Sequence, residues 1–492
     1  MKNLFVIFLV FSVGLSVFAA DIPSRPEKLK FPELKYEPPK GSDYRVELKS
    51  GPVAFVVPNR ELPLISISIL VRTGKYNEPK GKEGLAAMTG YLLSKGGTKS
   101  HSAEALEERL AFLAAGLSSN IGDTSGSVGV NLLSKDLDEG LAILREVLTV
   151  PRFQSDRFDL YKTQQIQSMK QRNDDSRNIE RRELVRLAYG DHFFRSQSPT
   201  KASIDSITVS DLRSFHRDWF HPGNFVVSVS GDFDRKEMVL KLEKLFSDWS
   251  PKGKTAQPVP TNKKFAKAGI YIVDKEVNQG RVDIMLPGIM RDNPDYYAVQ
   301  VMNDILGGGG FTSRITNRVR SDEGLAYSAY SYCPGGTYFP RTFVAGYQSK
   351  SRTVLYAAQI VLEEMRKITQ EEVTDKEIET AKASYIQTFP QAFETKGAIA
   401  STFASEEFTG RLSNNPNYFD NFRSKIRAVT KADVQRVAGK YLTPDKVAIL
   451  IIGDKEEILK GHPDHLVSVD SLTSGGVKDI PMRDPFTLQP LK

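Results

Sequence analysis

The sequence predicts an α+β protein made of two homologous domains in tandem, each a largely antiparallel sheet packed with helices. Three observations carry that reading. The first is an internal repeat: ITVSDLRSFHRDWFHPGNFVVSVSGD (207–232) aligns without gaps on VTKADVQRVAGKYLTPDKVAILIIGD (429–454), at a constant offset of 222 residues (208 to 430). Thr208 meets Thr430, Asp211 meets Asp433, Pro222 meets Pro444, and Gly231–Asp232 meet Gly453–Asp454. Each copy reads as a capped helix, a turn at proline and a buried strand. The second is strand chemistry at the start of both halves. In VAFVVPNRELPLISISILVRTG, Ile65, Ile67 and Ile69 face one way and Ser66 and Ser68 the other, with Pro58–Asn59 as the turn; IYIVDKEVNQGRVDIMLPG opens the second half in the same style. The third is the alternation of strand pairs with helix pairs, which fits helices layered on a sheet. A chain of 492 residues has room for two such domains and their cores.

The elements follow in order. Residues 1–20, MKNLFVIFLVFSVGLSVFAA, have a basic start at Lys2, an apolar run too short for a comfortable membrane span, and a small-x-small end, as a cleavable signal peptide does. Residues 21–43 are rich in Pro, Lys and Glu and read as an extended segment. The first domain is expected over 44–249. Within it, GLAAMTGYLLSKGGT (84–98) reads as a short helix, with Leu85, Met88 and Leu92 at helical steps and Gly96–Gly97 as its stop. SAEALEERLAFLAAG is an amphipathic helix capped by Ser102, with Leu106, Leu110 and Leu113 on its apolar face. A strand with Val128, Val130 and Leu132 and a helix around 136–148 come next. The polar, Pro/Lys-rich stretch 250–268 is expected to link the domains, 269–460 to form the second, and 461–492 to be a C-terminal tail. In the second domain Pro294 suits a helix start, the glycine run after Leu306 a stop, and FTSRITNRVRSDEG a helix through about Asp322 with Gly324 as its cap.

Composition narrows the function. Lys and Arg number 67 against 60 Asp and Glu, and no basic stripe with interleaved aromatics occurs, so nucleic-acid binding is not indicated. Cys333 is the one cysteine, so no intramolecular disulfide forms, and it has no nucleophile signature around it. No G-x-S-x-G elbow, Walker loop or dinucleotide fingerprint is present. Of the histidines, His101 has a glutamate at H-x-x-E spacing but no second histidine beside it. His462 and His465 flank a proline turn. His192, His216 and His221 sit in aromatic, packing-type sequence.

Together these pieces resemble the pitrilysin/insulinase-type zinc peptidases, the inverzincins, which include the mitochondrial processing peptidases. VRTGKYNEPKGKEGLAAMTGYLLSKGGTKSHSAEALEERL looks like the family's N-terminal signature, YGDHFFRSQSPTKASIDSIT like the end of its first domain, and LGGGGFTSRITNRVRSDEGLAYSAYS like the substrate-facing motif of its second. The resemblance implies two tandem domains of the processing-peptidase or metallohydrolase type, an α/β roll. Active members carry H-x-x-E-H, two zinc ligands and a general base, on the first helix. Laid on this chain, those positions are Ala87, Gly90 and Tyr91, none of which suits its role. The third ligand of the family is a glutamate on a later helix. Here that helix is LYKTQQIQSMKQR (160–172), and no glutamate occurs between Glu146 and Glu180. The resemblance therefore implies the fold without zinc, and no cofactor is expected in this chain.

The second-domain motif is complete. An arginine and a tyrosine there hold peptide and stabilise the oxyanion in active relatives. Carried over, they fall on Arg320 and Tyr327, with the glycines Gly308, Gly309 and Gly310 as substrate-binding backbone. Some bacterial relatives divide the work between a zinc-bearing chain and a chain that keeps only this pair. The expectation is therefore an exported protein, periplasmic or secreted, without membrane insertion after signal cleavage. It would be inactive alone and pair with a zinc-bearing homologous subunit around an unfolded peptide. A peptide-binding or scaffold protein of the same fold is the alternative, and an unrecognised metal site ranks behind both.

Overall fold

The apolar and alternating runs become two six-stranded sheets. The structure, a computed structural model, describes residues 35–492 except 250–252, 263 and 492, together with Ser24, Arg25, Lys28 and Leu29. The expected signal peptide, 1–20, lies outside the described residues. The first sheet holds β1 (Arg45–Glu47), β2 (Val53–Pro58), β3 (Leu64–Val71), β4 (Gly116–Ile121), β5 (Gly126–Leu133) and β6 (Phe225–Gly231), in the order β1-β2-β6-β3-β5-β4. The second holds β7 (Gly269–Asp274), β8 (Gln279–Pro287), β9 (Ala326–Tyr332), β10 (Thr342–Lys350), β11 (Ala448–Gly453) and β12 (Val477–Asp479), in the order β12-β7-β11-β8-β10-β9. Only β2–β6, β7–β11 and β7–β12 pair in parallel, so both sheets are largely antiparallel. The edge strands β4 and β9 occupy matching places.

The helices of the first half are α1 (Leu85–Lys95), α2 (Ala103–Phe112), α3 (Leu137–Thr149), α4 (Ser155–Lys170), α5 (Ser176–Tyr189), α6 (Lys201–Ser206), α7 (Val209–Trp219) and α8 (Arg235–Phe246). The second half adds α9 (Tyr296–Asn303), the single turn α10 (Arg314–Thr316), α11 (Val354–Gln370), α12 (Asp375–Thr388), α13 (Lys396–Phe408), the turn α14 (Arg411–Asn414), α15 (Tyr418–Ala428) and α16 (Lys431–Tyr441). The repeat is visible at its caps. Thr208 Oγ1 accepts from Asp211 N at 3.2 Å while Thr208 N donates to the Asp211 carboxylate at 2.8 Å. Thr430 and Asp433 repeat this at 3.1 Å in both directions. Such caps contribute about 1 kcal/mol each.

The central strands are apolar on consecutive residues: β11, AILIIG, is buried throughout, and so are the first five residues of β6. Runs of that kind need cover on both faces of a sheet. Part of the cover is exchanged between halves. α13 packs on β2, β3 and β6 of the first sheet, and α5 packs on β8 and β11 of the second. The two helices correspond at the repeat offset, since 176–189 maps onto 398–411. Phe403 of α13 stacks on Phe55 of β2 with ring centroids 6.0 Å apart, and Glu407 accepts two hydrogen bonds from Arg45. The segment expected as a tail, 461–492, also joins the packing. It contributes β12, and further on Pro485 and Phe486 accept hydrogen bonds from Arg172 and from the Lys201 backbone of the first half. Among the described residues no helix is long and apolar enough to cross a membrane.

Candidate functional site

The expected zinc helix is α1, running from Leu85 to Lys95, with its C-terminal NH closed at Gly96. Its first turn has no side-chain cap from Gly84. Glu78 supplies one from outside the helix, accepting from the backbone N–H groups of Gly84 (3.0 Å) and Ala86 (2.8 Å). Burial is the main reason this carboxyl is pushed up to about 7, against the pull of those two donors and of Lys75. Of the three motif positions, Ala87 is exposed and offers a methyl group. Gly90 is buried where α1 lies against β4: a Cβ there would come within 2.4 Å of the Ile121 backbone nitrogen. Tyr91 rests on Tyr161 of α4, with ring centroids 4.7 Å apart. The α4 helix carries no carboxylate beyond Asp159. These residues do not fit a zinc ion, because two of the three positions lack donor atoms and the third is a stacked phenol. Among the described residues, no three His, Cys, Asp or Glu side chains are gathered to hold a metal.

The motif of the second half is differently built. After α9 the chain widens into a π-helical turn, Asp304–Gly308, and after α10 into another, Asn317–Asp322. The expected helix does run through Asp322, but from Asn317 onward it is wound as a π-helix. Such widened turns are frequent at functional sites. Gly307 allows the first one to sit on β9, since a Cβ would approach the Ser331 backbone nitrogen to 2.4 Å. Buried polar bonds then clamp both turns to that strand. Ser331 Oγ donates to Asn303 Oδ1 at 2.9 Å, and Thr316 Oγ1 donates to the Ala329 carbonyl at 2.8 Å.

This clamp places Arg320 beside Tyr327. The guanidinium carbon is 4.5 Å from the Tyr327 ring centroid and 4.5 Å from that of Phe311, which follows the glycine run. Tyr327 is 85% exposed and Phe311 66% exposed, so the stacked arginine is presented at the surface. The neighbouring arginines are used differently. Arg314 makes a two-pronged pair with Glu377 (2.6 and 3.1 Å), and Arg318 bonds to Glu364 at 2.9 Å. Arg320 makes no ion pair among the described residues; two ring faces hold it, leaving its N–H edge available.

A cleft follows the β9 edge beside this pair. One stretch, of about 670 Å³, reaches Gly324 and Tyr327; the next, of about 610 Å³, reaches Gly307 and Gly308. Arg177 and Glu180 of α5, Arg281 of β8 and Tyr330 line both. Gly308 thus lines one stretch and Tyr327 the other, whereas Arg320, Gly309 and Gly310 line neither. On the floor, Asp283 is 3% exposed and its Oδ2 has no hydrogen-bond partner among the described residues. Burial holds its carboxyl well above the usual range, with Glu180 adding to the effect, and burial likewise raises Glu180.

The sequence reading missed Phe311, Glu78 and Asp283. Phe311 had one signal, its place at the end of the glycine run; Asp283 stood out only as an acid inside an apolar strand. Of the three histidines read as structural, His216 and His221 are buried and His192 is exposed. His216 is buried and donates from Nε2 to the Leu148 carbonyl at 3.0 Å, and burial lowers its pKa to about 4. Cys333 is buried, and that burial pushes its thiol up to about 12. His462 and His465 lie against Tyr356 at the surface.

Residues 56–196 match the family model described as Insulinase (Peptidase family M16), and residues 206–385 match the Peptidase M16 inactive domain. The chain is 23% identical over 385 residues to an uncharacterized zinc protease of Streptomyces coelicolor, covering 77% of this chain and 82% of that protein. It is 26% identical over 366 residues to the non-peptidase homolog YmxG of Helicobacter pylori, covering 73% and 80% respectively. Among solved structures, a peptidase M16 inactive domain from Pseudomonas fluorescens superposes with a TM-score of 0.74 at 23% identity, over 83% of this chain and 97% of that one. The periplasmic protease PqqL of Escherichia coli gives 0.69 at 14% identity, over 84% of this chain and 45% of that one. The chain belongs to peptidase family M16, the insulinase family.

Proposed function

We propose that this protein is the zinc-free subunit of an exported, heterodimeric metalloendopeptidase, supplying Arg320 and Tyr327 to a peptide held against a partner that carries H-x-x-E-H. One observation carries the reading: of the three arginines at 314, 318 and 320, only Arg320 is withheld from carboxylates and displayed between two exposed rings. A structural arginine on this segment has a glutamate; a substrate-facing one needs free N–H groups. In that role the guanidinium edge donates to a peptide carbonyl or to the oxyanion developing on it, and the Tyr327 hydroxyl adds one hydrogen bond. The cleft along β9 holds the flanking peptide, with the Gly308 backbone at one end. Zinc chemistry belongs to the partner, because Ala87, Gly90 and Tyr91 cannot hold the ion. The protein alone is inactive. The likeness to a periplasmic protease supports export, as does the signal-type sequence of residues 1–20.

The test is an activity measurement on the reconstituted pair. Arg320→Ala should lower kcat/KM by about 100-fold or more, the usual cost of removing an oxyanion donor, and leave co-elution with the partner unchanged. Full activity in that variant would remove Arg320 from the site. A second reading, a peptide-binding scaffold with no part in cleavage, is favoured by the relative described as a non-peptidase homolog. It predicts peptide binding in the β9 cleft and no effect of this chain on any zinc peptidase.

A further inference from the structure

A cavity of about 490 Å³ lies at the C-terminal end of α4, against α5 and close behind the edge strand β4. Arg172, Arg181, Arg182 and Arg195 line it, and Asp123 is its one acidic residue. The cations are poorly compensated. Asp123 is taken up by Arg195, at 2.9 Å. Among the described residues the Arg172 guanidinium donates to the carbonyls of Pro485 (3.0 Å) and Pro199 (2.7 Å) and meets no carboxylate. Arg181 is exposed and makes no ion pair among the described residues. Arg182 has a side chain only 8% exposed, and its partner Glu183, at 2.9 Å, is shared with Arg483 at 3.0 Å. Its Nη2 is buried without a hydrogen-bond partner. A buried guanidinium with an unused N–H is costly unless an acceptor meets it.

We propose that this cavity is an oxyanion-binding site, taking a peptide carboxylate or inorganic phosphate. Planar guanidinium forks suit both groups, which accept paired N–H donors, and the hydroxyls of Ser168 and Ser198 on the same walls add single donors. A peptide has a route to it, because Arg181 also lines the cleft along β9. The site does not depend on Arg320, Tyr327 or a zinc-bearing partner, so it stands or falls apart from the proposed function.

The purified full chain tests it by calorimetric titration at constant ionic strength. The probes are sodium phosphate and an N-acetylated alanine tripeptide, with a free C-terminal carboxylate or as the amide. One phosphate or one carboxylate peptide per chain should bind, and the amide should not. Phosphate alone would identify the source as the free ion, the carboxylate peptide alone as a peptide end. Arg181→Gln removes an exposed, unpaired cation and should weaken binding about tenfold with Tm unchanged. Arg182→Lys, which keeps the charge but loses the fork, should weaken it as well. The proposal is overturned if neither anion binds, if the amide binds as well as the carboxylate, or if folded Arg181→Gln binds with wild-type affinity.

Discussion

At the scale of single residues, half-buried Glu78 and buried His216 set opposite pH dependences. Glu78 ionises near 7 in the folded chain against an ordinary value of 4.5, so the folded state holds its proton more tightly. Its contribution to stability is therefore present at low pH and is lost as the pH rises from about 4.5 to about 7. His216 runs the other way: with its pKa lowered to about 4, the unfolded chain takes up the proton first, and stability is lost as the pH falls below about 6.5. Glu78→Gln keeps an acceptor for the Gly84 and Ala86 N–H groups but cannot ionise. Its Tm relative to the unaltered protein should rise from about pH 4.5 to about pH 7 and level off above that. A difference in Tm that is flat across that range would contradict the burial argument. Glu78 was not legible as a cap from sequence, because it lies six residues before Gly84 and reaches α1 only through the intervening turn.

At the scale of elements, α1 is tightly packed as well as free of metal-ligating side chains at Ala87 and Gly90. Gly90 lets α1 lie against β4, and Ser119 of that strand donates to the Gly90 carbonyl. Gly90→Ala should destabilise the protein by about 1–3 kcal/mol, the usual cost of overpacking against backbone, measurable in urea unfolding. For the same reason the triple substitution Ala87→His, Gly90→Glu, Tyr91→His should not create a zinc site; equilibrium dialysis should find no stoichiometric metal. Stoichiometric zinc in that variant would mean the helix has room the packing denies. What could be read of these elements followed their composition. The β3 strand was plain in LISISILV, where isoleucines alternate with serines. The edge strand β4, GLSSNI, was missed because glycine and serine carry little strand signal, and its place comes from pairing with β5. The π-helical turns were hidden for a related reason: they arise where Asn303, Ser331 and Thr316 clamp the chain to β9, which a local periodicity does not record.

At the scale of the whole molecule, the repeat predicted two like halves, and the caps at Thr208 and Thr430 bear it out. It did not predict that α5 and α13 would each cover the other half's sheet, since an amphipathic face does not name its partner. That exchange should make the halves unfold together, so a single transition is expected from both fluorescence and circular dichroism. Two separated transitions would show halves that hold independently. The candidate site divided in the same way. Arg320 and Tyr327 are proposed through their motif; Phe311, which completes the stack, needed three dimensions. The central claim is that this chain works by completing a partner's active site. Its most direct test is to recover the tagged protein from its native host, identify co-purifying chains by mass spectrometry and measure zinc in the eluate. One homologous partner is expected in equal amount, carrying H-x-x-E-H, with one zinc per pair. A protein recovered alone and free of zinc would contradict it.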